Sequence, residues 1–261
     1  MKSYNKLIDV LNTKKTMLCV GLDTDIKKLP ESIEKSTDGI YSFNKAIIDA
    51  TKDIAASYKI NTAFYEQYGV KGWDILKRTI ELIPEDIFLI MDAKRGDIGN
   101  TSAAYAKAFF EDMRADALTV APYMGSDSIK PFLEYTDKFV FLLALTSNAG
   151  SFDFQRIISA GKPMYKHVTD VSSTWANKTN LGYVVGATHP GELGELRAEH
   201  PDRVFLIPGV GAQGGDIEAV LAANKGVPSL INVSRGIIYA SSGEDFATAA
   251  KEQAAYYAGK F

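Results

Sequence analysis

Eight short apolar runs punctuate the chain, at 17–22, 58–64, 87–93, 117–121, 139–146, 182–187, 204–207 and 229–233, most separated by a stretch long enough for a helix. Strands that are apolar along their whole length, rather than at alternate positions, are buried on both faces. Alternation of such strands with helices implies a parallel sheet covered by helices. Eight units in 261 residues fit a closed α/β (β/α)8 barrel better than an open doubly wound sheet. We therefore expect a single (β/α)8 TIM barrel domain spanning 1–261. A helix over 3–14 should precede the first strand, with Ser3 as its N-cap and Tyr4, Leu7, Ile8 and Leu11 at helical spacing. One connection is unusually long, residues 149–181 after the fifth strand. It carries Phe152, Phe154 and a helical pattern of Met164, Val168, Val171 and Trp175. Connections of that length are often lids over a site.

Composition removes several classes of function. Hydrophobic residues make up 46% of the chain, which excludes disorder and fibrous repeats. Lys and Arg number 29 against 32 Asp and Glu, a net charge of -3. A duplex-binding surface needs the opposite balance, so no nucleic-acid partner is expected. The single cysteine, Cys19, forms neither an intrachain disulfide nor a cysteine-based zinc site, and reads as a small core residue. The longest apolar run, 139–145, is far short of the roughly 20 residues a membrane helix needs. Asp9 and Asn12 interrupt the apolar stretch near the amino terminus, so no signal-peptide core is read there. These features point to a cytoplasmic protein with no membrane partner.

In a parallel barrel the active site gathers at the carboxyl ends of the strands. The polar residues at those ends are Asp23, Lys59, the pair Asp92 and Lys94, Ser147 and the pair Ser234 and Arg235. The sharpest cluster is Asp92-Ala93-Lys94-Arg95-Gly96-Asp97. Strand side chains alternate, so Asp92 and Lys94 should face the same way, into the barrel mouth. Buried charges must be paired, and an Asp-Lys-Asp arrangement supplies the pairing. Flanking carboxylates favour a protonated lysine, which suits proton donation better than attack by a neutral amine. Of the histidines, His189 could face the site, whereas His167 and His200 sit in segments that read as surface.

The seventh strand runs into Pro208-Gly209-Val210-Gly211-Ala212-Gln213-Gly214-Gly215-Asp216. A glycine-rich loop opening a helix offers backbone N–H groups and a helix N-terminus to phosphate, and Arg235 would add a charge-assisted hydrogen bond. The same residues match G-x-G-x-x-G. A dinucleotide fold, however, needs further strands and an acidic residue about 20 positions on. Only one strand candidate follows, and Arg235 occupies the region of the acid. No G-x-x-x-x-G-K-[ST] occurs either.

Taken together, Asp92-Ala93-Lys94-Arg95-Gly96-Asp97-Ile98 with Thr101, followed by the loop 208–216, resembles the orotidine 5'-phosphate decarboxylase family, in its longer bacterial subgroup. The resemblance runs from the first strand through Arg235. It implies a lyase of UMP biosynthesis, a homodimeric barrel that decarboxylates orotidine 5'-monophosphate to uridine 5'-monophosphate without metal or organic cofactor. Carried over to this chain, Asp23 and Lys59 would hold the ribose hydroxyls, and Asp92 would sit against the substrate carboxylate. Lys94 would protonate the carbon that loses carbon dioxide. Asp97 and Thr101 would reach into the partner's site. Ser147 would bind the pyrimidine, and Gln213 and Arg235 would grip the phosphate beside Pro208 and Ser234. Ser234 stands where many members of the family have glycine.

Three rivals share parts of this pattern. A magnesium-dependent 3-keto-L-gulonate 6-phosphate decarboxylase has the same D-x-K-x-x-D element but takes a metal-binding carboxylate from its second strand. Here that strand carries Lys59, although Glu66 is close in sequence. A Schiff-base aldolase would use Lys94 as a neutral amine, against the paired carboxylates. A non-catalytic phosphate-binding barrel would need no charged cluster.

Overall fold

The computed structural model describes residues 2–211 and 214–261. Eight parallel strands follow the expected runs closely: β1 (Leu18–Gly21), β2 (Ser57–Asn61), β3 (Phe88–Arg95), β4 (Ala117–Val120), β5 (Phe139–Leu145), β6 (Leu181–Val185), β7 (Phe205–Pro208) and β8 (Ser229–Val233). Each neighbours the strands before and after it in sequence, and β8 pairs with β1 to close the barrel. The fold is the (β/α)8 barrel that the apolar runs imply. Among the described residues no helix is long and apolar enough to cross a membrane.

The helices are α1 (Ser3–Lys14), α2 (Thr37–Thr51), α3 (Gly69–Ile80), α4 (Gly99–Lys107), α5 (Ser126–Leu133), α6 (Met164–Ser172), α7 (Pro190–Glu199), α8 (Ile217–Asn224) and α9 (Phe246–Ala258), with shorter helical turns between them. One expectation at the amino terminus fails. Ser3 is the first residue of α1 rather than a cap before it. Its hydroxyl lies 3.4 Å from Asp116 Oδ1, and its N–H donates to the Asp137 carbonyl at 2.8 Å. A tertiary contact has taken the hydroxyl that a local cap would use.

The chain divides into two compact units, residues 6–93 with 232–261 and residues 1–5 with 94–231. In the first, the apolar face of α2 (Ile40, Phe43, Ile47, Ile48) is buried. Phe43 stacks on Phe246 and Tyr239 at 5.3 and 5.8 Å. The polar residue in that face, Asn44, is fully buried but satisfied, accepting from Thr24 at 2.6 Å and donating to Tyr65 at 2.9 Å. Tyr65 in turn donates to the Leu22 carbonyl at 3.0 Å, bracing the carboxyl end of β1. Ser36 caps α2 by accepting from the Gly39 N–H.

In the second unit the core is built on β4 to β7, with Phe139, Phe141, Tyr183 and Phe205 fully buried. The connection after β5 holds a helical turn (Ser151–Phe154), a small antiparallel hairpin pairing Ile158–Ser159 with Lys162–Pro163, and α6. Sequence periodicity gave no sign of the hairpin, because two-residue strands have no alternation to read. His200, expected at the surface, is 8% exposed, with its ring 5.3 Å from Tyr183.

Candidate active site

In the unit 6–93 with 232–261, three expected residues converge. Lys59 on β2 donates to Asp92 Oδ2 at 3.0 Å and to Asp23 Oδ1 at 3.2 Å. The registry of the sheet explains the convergence, since Gly21 of β1 aligns with Lys59 and Asn61 of β2 aligns with Asp92 of β3. Lys59 is 3% exposed and Asp92 8%, so the cation depends on its two partners. Burial opposes charge on Lys59, but the carboxylates of Asp23 and Asp92 outweigh it and hold the ammonium above the usual lysine range. Asp23 is fixed from behind: Tyr239 donates to its carbonyl at 3.3 Å and accepts from the Asp25 N–H at 2.7 Å.

Cys19 on β1 is fully buried, as expected for a core residue, and its thiol donates to Asn232 Oδ1 at 3.6 Å. Burial pushes its pKa up to about 12, which leaves it a protonated and unreactive thiol. Ser234 is half-buried at the end of β8, and its carbonyl accepts from the N–H groups of Ile237 and Ile238. Arg235, the next residue, is exposed.

In the unit 1–5 with 94–231, Lys94 is an exposed side chain on a backbone with φ +47°. Its N–H donates to Thr119 Oγ1 on β4 at 2.9 Å. A left-handed conformation is uncommon for a residue with a Cβ and costs roughly 1–2 kcal/mol. Such outliers persist where surrounding contacts over-determine them. The regular strand alternation assumed from sequence therefore stops before Lys94. Arg95 lies over the rings of Tyr105 and Phe109, at 5.2 and 5.5 Å. Asp97 is partly exposed and Thr101 exposed on the first turn of α4. Ser102 Oγ accepts from the Asp97 N–H at 3.0 Å.

Ser147, just past β5, has a buried hydroxyl without a hydrogen-bond partner among the described residues. It rests against Gly186, where a Cβ would come within 2.3 Å of Ser147 Oγ; only glycine permits that approach. Sequence reasoning missed Arg156. Its Nη1 pairs with Glu192 at 2.5 Å, while its Nε and Nη2 are buried without partners among the described residues. Thr188 Oγ1 and His189 Nε2 are likewise buried and without partners among the described residues. Burial and the nearby Arg156 charge lower the His189 pKa. No local motif announces an arginine in a connection without periodicity, so only the fold reveals it.

Pro208 ends β7, and its carbonyl accepts from the Ala187 N–H at 2.9 Å. In the loop beyond it, Gly209, Gly211 and Gly214 have φ between +76° and +100°, so the turn itself requires glycine. At the start of α8, two of the N–H groups expected to face phosphate already have a partner within the chain. Asp216 caps the helix, accepting from Glu218 N–H at 2.9 Å and Ala219 N–H at 3.4 Å. The N–H groups of Gly211, Gly214 and Gly215 bond within the loop. Gln213, the other phosphate candidate of this loop, lies outside the described residues.

The model of the orotidine 5'-phosphate decarboxylase / HUMPS family matches residues 16–251. The chain is 54% identical over 246 residues to an orotidine 5'-phosphate decarboxylase of Flavobacterium johnsoniae, covering 92% of this chain and 90% of that one. It is 53% identical to its counterpart in Christiangramia forsetii, over 95% of this chain and 93% of that one. Among solved structures, an orotidine monophosphate decarboxylase of Leishmania donovani superposes with a TM-score of 0.86 at 38% identity, covering all of this chain and 98% of the other. A match of this extent, on a chain that pairs a buried lysine with two carboxylates at its strand ends, means that the protein belongs to the orotidine 5'-phosphate decarboxylase / HUMPS family.

Proposed function

We propose that Asp92 and Lys94 carry the chemical step of this chain's reaction, within one barrel domain formed by residues 1–261. The chain converts orotidine 5'-monophosphate to uridine 5'-monophosphate and carbon dioxide, the last step of de novo pyrimidine synthesis. It is a carboxy-lyase. The observation that carries the assignment is the Asp23–Lys59–Asp92 network. An ammonium group stands between two carboxylates that would otherwise invite a divalent cation, which favours the metal-free nucleotide reaction over the magnesium-dependent sugar-phosphate one.

Loss of carbon dioxide leaves a carbanion with no ordinary electron sink, so the protein must favour the transition state over the bound substrate. A substrate carboxylate held about 4 Å from Asp92 meets a repulsion of about 4 kcal/mol at an effective dielectric of about 20. That repulsion fades as neutral carbon dioxide departs. The Lys94 ammonium stabilises the growing negative charge and then delivers its proton to the same carbon. Asp23 and Lys59 hold the ribose hydroxyls, and Ser147 recognises the pyrimidine with its unpartnered hydroxyl. Arg235 and Gln213 take the phosphate beside Pro208 and Ser234, and the well-separated phosphate supplies binding energy for the chemical step.

Asp97 and Thr101 serve the site of a second copy in a homodimer, in our reading. Both project from a partly exposed segment. The loops after β3 and β4 join through the Ala121 N–H to Arg95 carbonyl bond at 2.8 Å and expose Ile98, Tyr123 and Met124. Apolar side chains grouped at the surface mark protein contacts. Mixing two inactive variants, Lys94→Ala and Asp97→Asn, tests the exchange. If Asp97 crosses the interface, each mixed dimer holds one intact site, and random reassociation restores roughly a quarter of wild-type activity. Absence of any recovery in dimers shown to exchange subunits would refute the shared site.

A further inference from the structure

We propose that Gln155 is a positioning residue for the pyrimidine base, acting on the substrate through Ser147; the inference rests on the reading of Ser147 given above. Gln155 follows the helical turn Ser151–Phe154 in the long connection. Its backbone is fixed, with its N–H donating to the Ser151 carbonyl at 3.0 Å and its carbonyl accepting from the buried Tyr165 at 2.9 Å.

The side chain reaches back to the residue before Ser147. Gln155 Oε1 accepts from the Thr146 N–H at 2.8 Å, and Gln155 Nε2 donates to Thr146 Oγ1, also at 2.8 Å. The Thr146 hydroxyl in turn donates to Asn148 Oδ1 at 2.6 Å. Each of these three bonds pairs a donor with an acceptor, and the two to Thr146 decide which end of the Gln155 amide is oxygen and which nitrogen. The primary amide is suited to this place because it offers an acceptor and a donor side by side.

Ser147 therefore sits between two residues held in one hydrogen-bonded network, with Gly186 packed beneath it. Its hydroxyl is buried and has no hydrogen-bond partner among the described residues. A buried hydroxyl costs free energy unless a partner is supplied, and a pyrimidine carbonyl or ring N–H would supply it. Gln155 ties the long connection to that recognition. If the connection shifts, Thr146 loses both bonds and the direction of Ser147 is lost with them.

The test compares Gln155→Ala, Ser147→Ala and the double variant by titration with uridine 5'-monophosphate and with ribose 5-phosphate, which has the ribose and phosphate but no base. Gln155→Ala should weaken uridine 5'-monophosphate binding about tenfold and change ribose 5-phosphate binding by less than about twofold. The double variant should be no weaker than Ser147→Ala, because the two act through one contact. KM should rise more than kcat falls. Normal affinity in Gln155→Ala beside weakened Ser147→Ala overturns the inference and leaves Ser147 in its role. Normal affinity in Ser147→Ala overturns the reading of Ser147 and this inference with it. Additive losses, or equal losses on both ligands, also overturn the inference, since they mean an independent or a general structural effect. Should Gln155→Ala fail to fold, Gln155→Glu keeps the acceptor and drops the donor. It should then show a smaller loss confined to uridine 5'-monophosphate, and a full-affinity Gln155→Glu would count against the inference.

Discussion

Lys59 and Asp92 meet across adjacent strands at 3.0 Å, with side chains 4% and 10% exposed. With Asp23 as the second acceptor of the same ammonium, removing the cation leaves two carboxylates facing each other in a nearly dry setting. Lys59→Met should cost about 3–5 kcal/mol of stability, the range for breaking a buried ion pair. Chemical denaturation at neutral pH measures it. The pH dependence has a definite sign. The folded pKa of Lys59 lies above its unfolded value, so its contribution is fully present below the unfolded value of about 10.4 and is lost as pH rises through the folded one. The stability gap between wild type and Lys59→Met should hold steady from pH 7 to about 9.5 and narrow above about 10.4. A gap that widens with rising pH would contradict the ion-pair account.

Lys94 combines the proposed proton donor with a left-handed backbone, φ +47°. Both Lys94→Ala and Lys94→Gly should abolish turnover while the fold persists. Glycine alone adopts this backbone without steric cost, and its gain outweighs the extra unfolded-chain entropy it brings. Lys94→Gly should therefore exceed Lys94→Ala in stability by about 1 kcal/mol. Equal melting of the two variants would mean that Thr119 and its neighbours do not hold the residue under strain.

Gly21 of β1 faces Ser234. A Cβ at Gly21 would fall 1.8 Å from Ser234 Oγ and 2.8 Å from its Cβ. Gly21→Ala should therefore destabilise the protein by more than about 2 kcal/mol, as overpacking of a tight site does. Ser234→Gly removes both clashing atoms, so the double variant should recover most of that loss, and a double-mutant cycle by thermal or denaturant unfolding measures the coupling. Strict additivity would show that the conflict lies elsewhere.

Arg197 is 1% exposed and, among the described residues, has no carboxylate partner in hydrogen-bond range. Its Nη1 and Nη2 donate to the carbonyls of His200 and Arg203 and to Asn224 and Ser229, and its guanidinium lies 3.7 Å from the centre of the Phe205 ring. Burial pulls its pKa down to about 10. Arg197→Met would remove a costly charge but take the guanidinium donor from the Arg203 carbonyl and from Ser229 Oγ, whereas Asn224 Oδ1 keeps the Ser229 hydroxyl at 2.9 Å and the His200 carbonyl keeps the Arg203 N–H at 3.3 Å. Because unmet buried groups cost about 1–3 kcal/mol each, the net loss should be about 1–3 kcal/mol, with KM for the substrate unaffected in the protein that remains folded. A neutral or stabilising substitution would show that the acceptors find water or one another.

The barrel was legible because its strands are buried on both faces and so appear as unbroken apolar runs bounded by polar residues. Asp23, Lys59 and Asp92 were legible for a related reason: a charge at the end of an apolar strand must find a partner, and the sheet register delivers one. Other features left no such trace. Gln155 and Arg156 lie in a connection without periodicity, and their partners, Thr146 and Glu192, are defined only by tertiary packing. The cap of α8 illustrates a local competition: Asp216 takes two of the N–H groups, those of Glu218 and Ala219, that the glycine-rich loop suggested were open to phosphate. The left-handed Lys94 escaped because alternation assumes extended backbone at every position.

The most direct test of the account is the ultraviolet absorbance of orotidine 5'-monophosphate mixed with the purified protein in excess EDTA, alongside Lys94→Ala. The account predicts conversion to uridine 5'-monophosphate by the wild-type chain, undiminished by the chelator, and none by a folded Lys94→Ala that still binds the product. A wild-type reaction that stops in EDTA, or substantial turnover by Lys94→Ala, would contradict it.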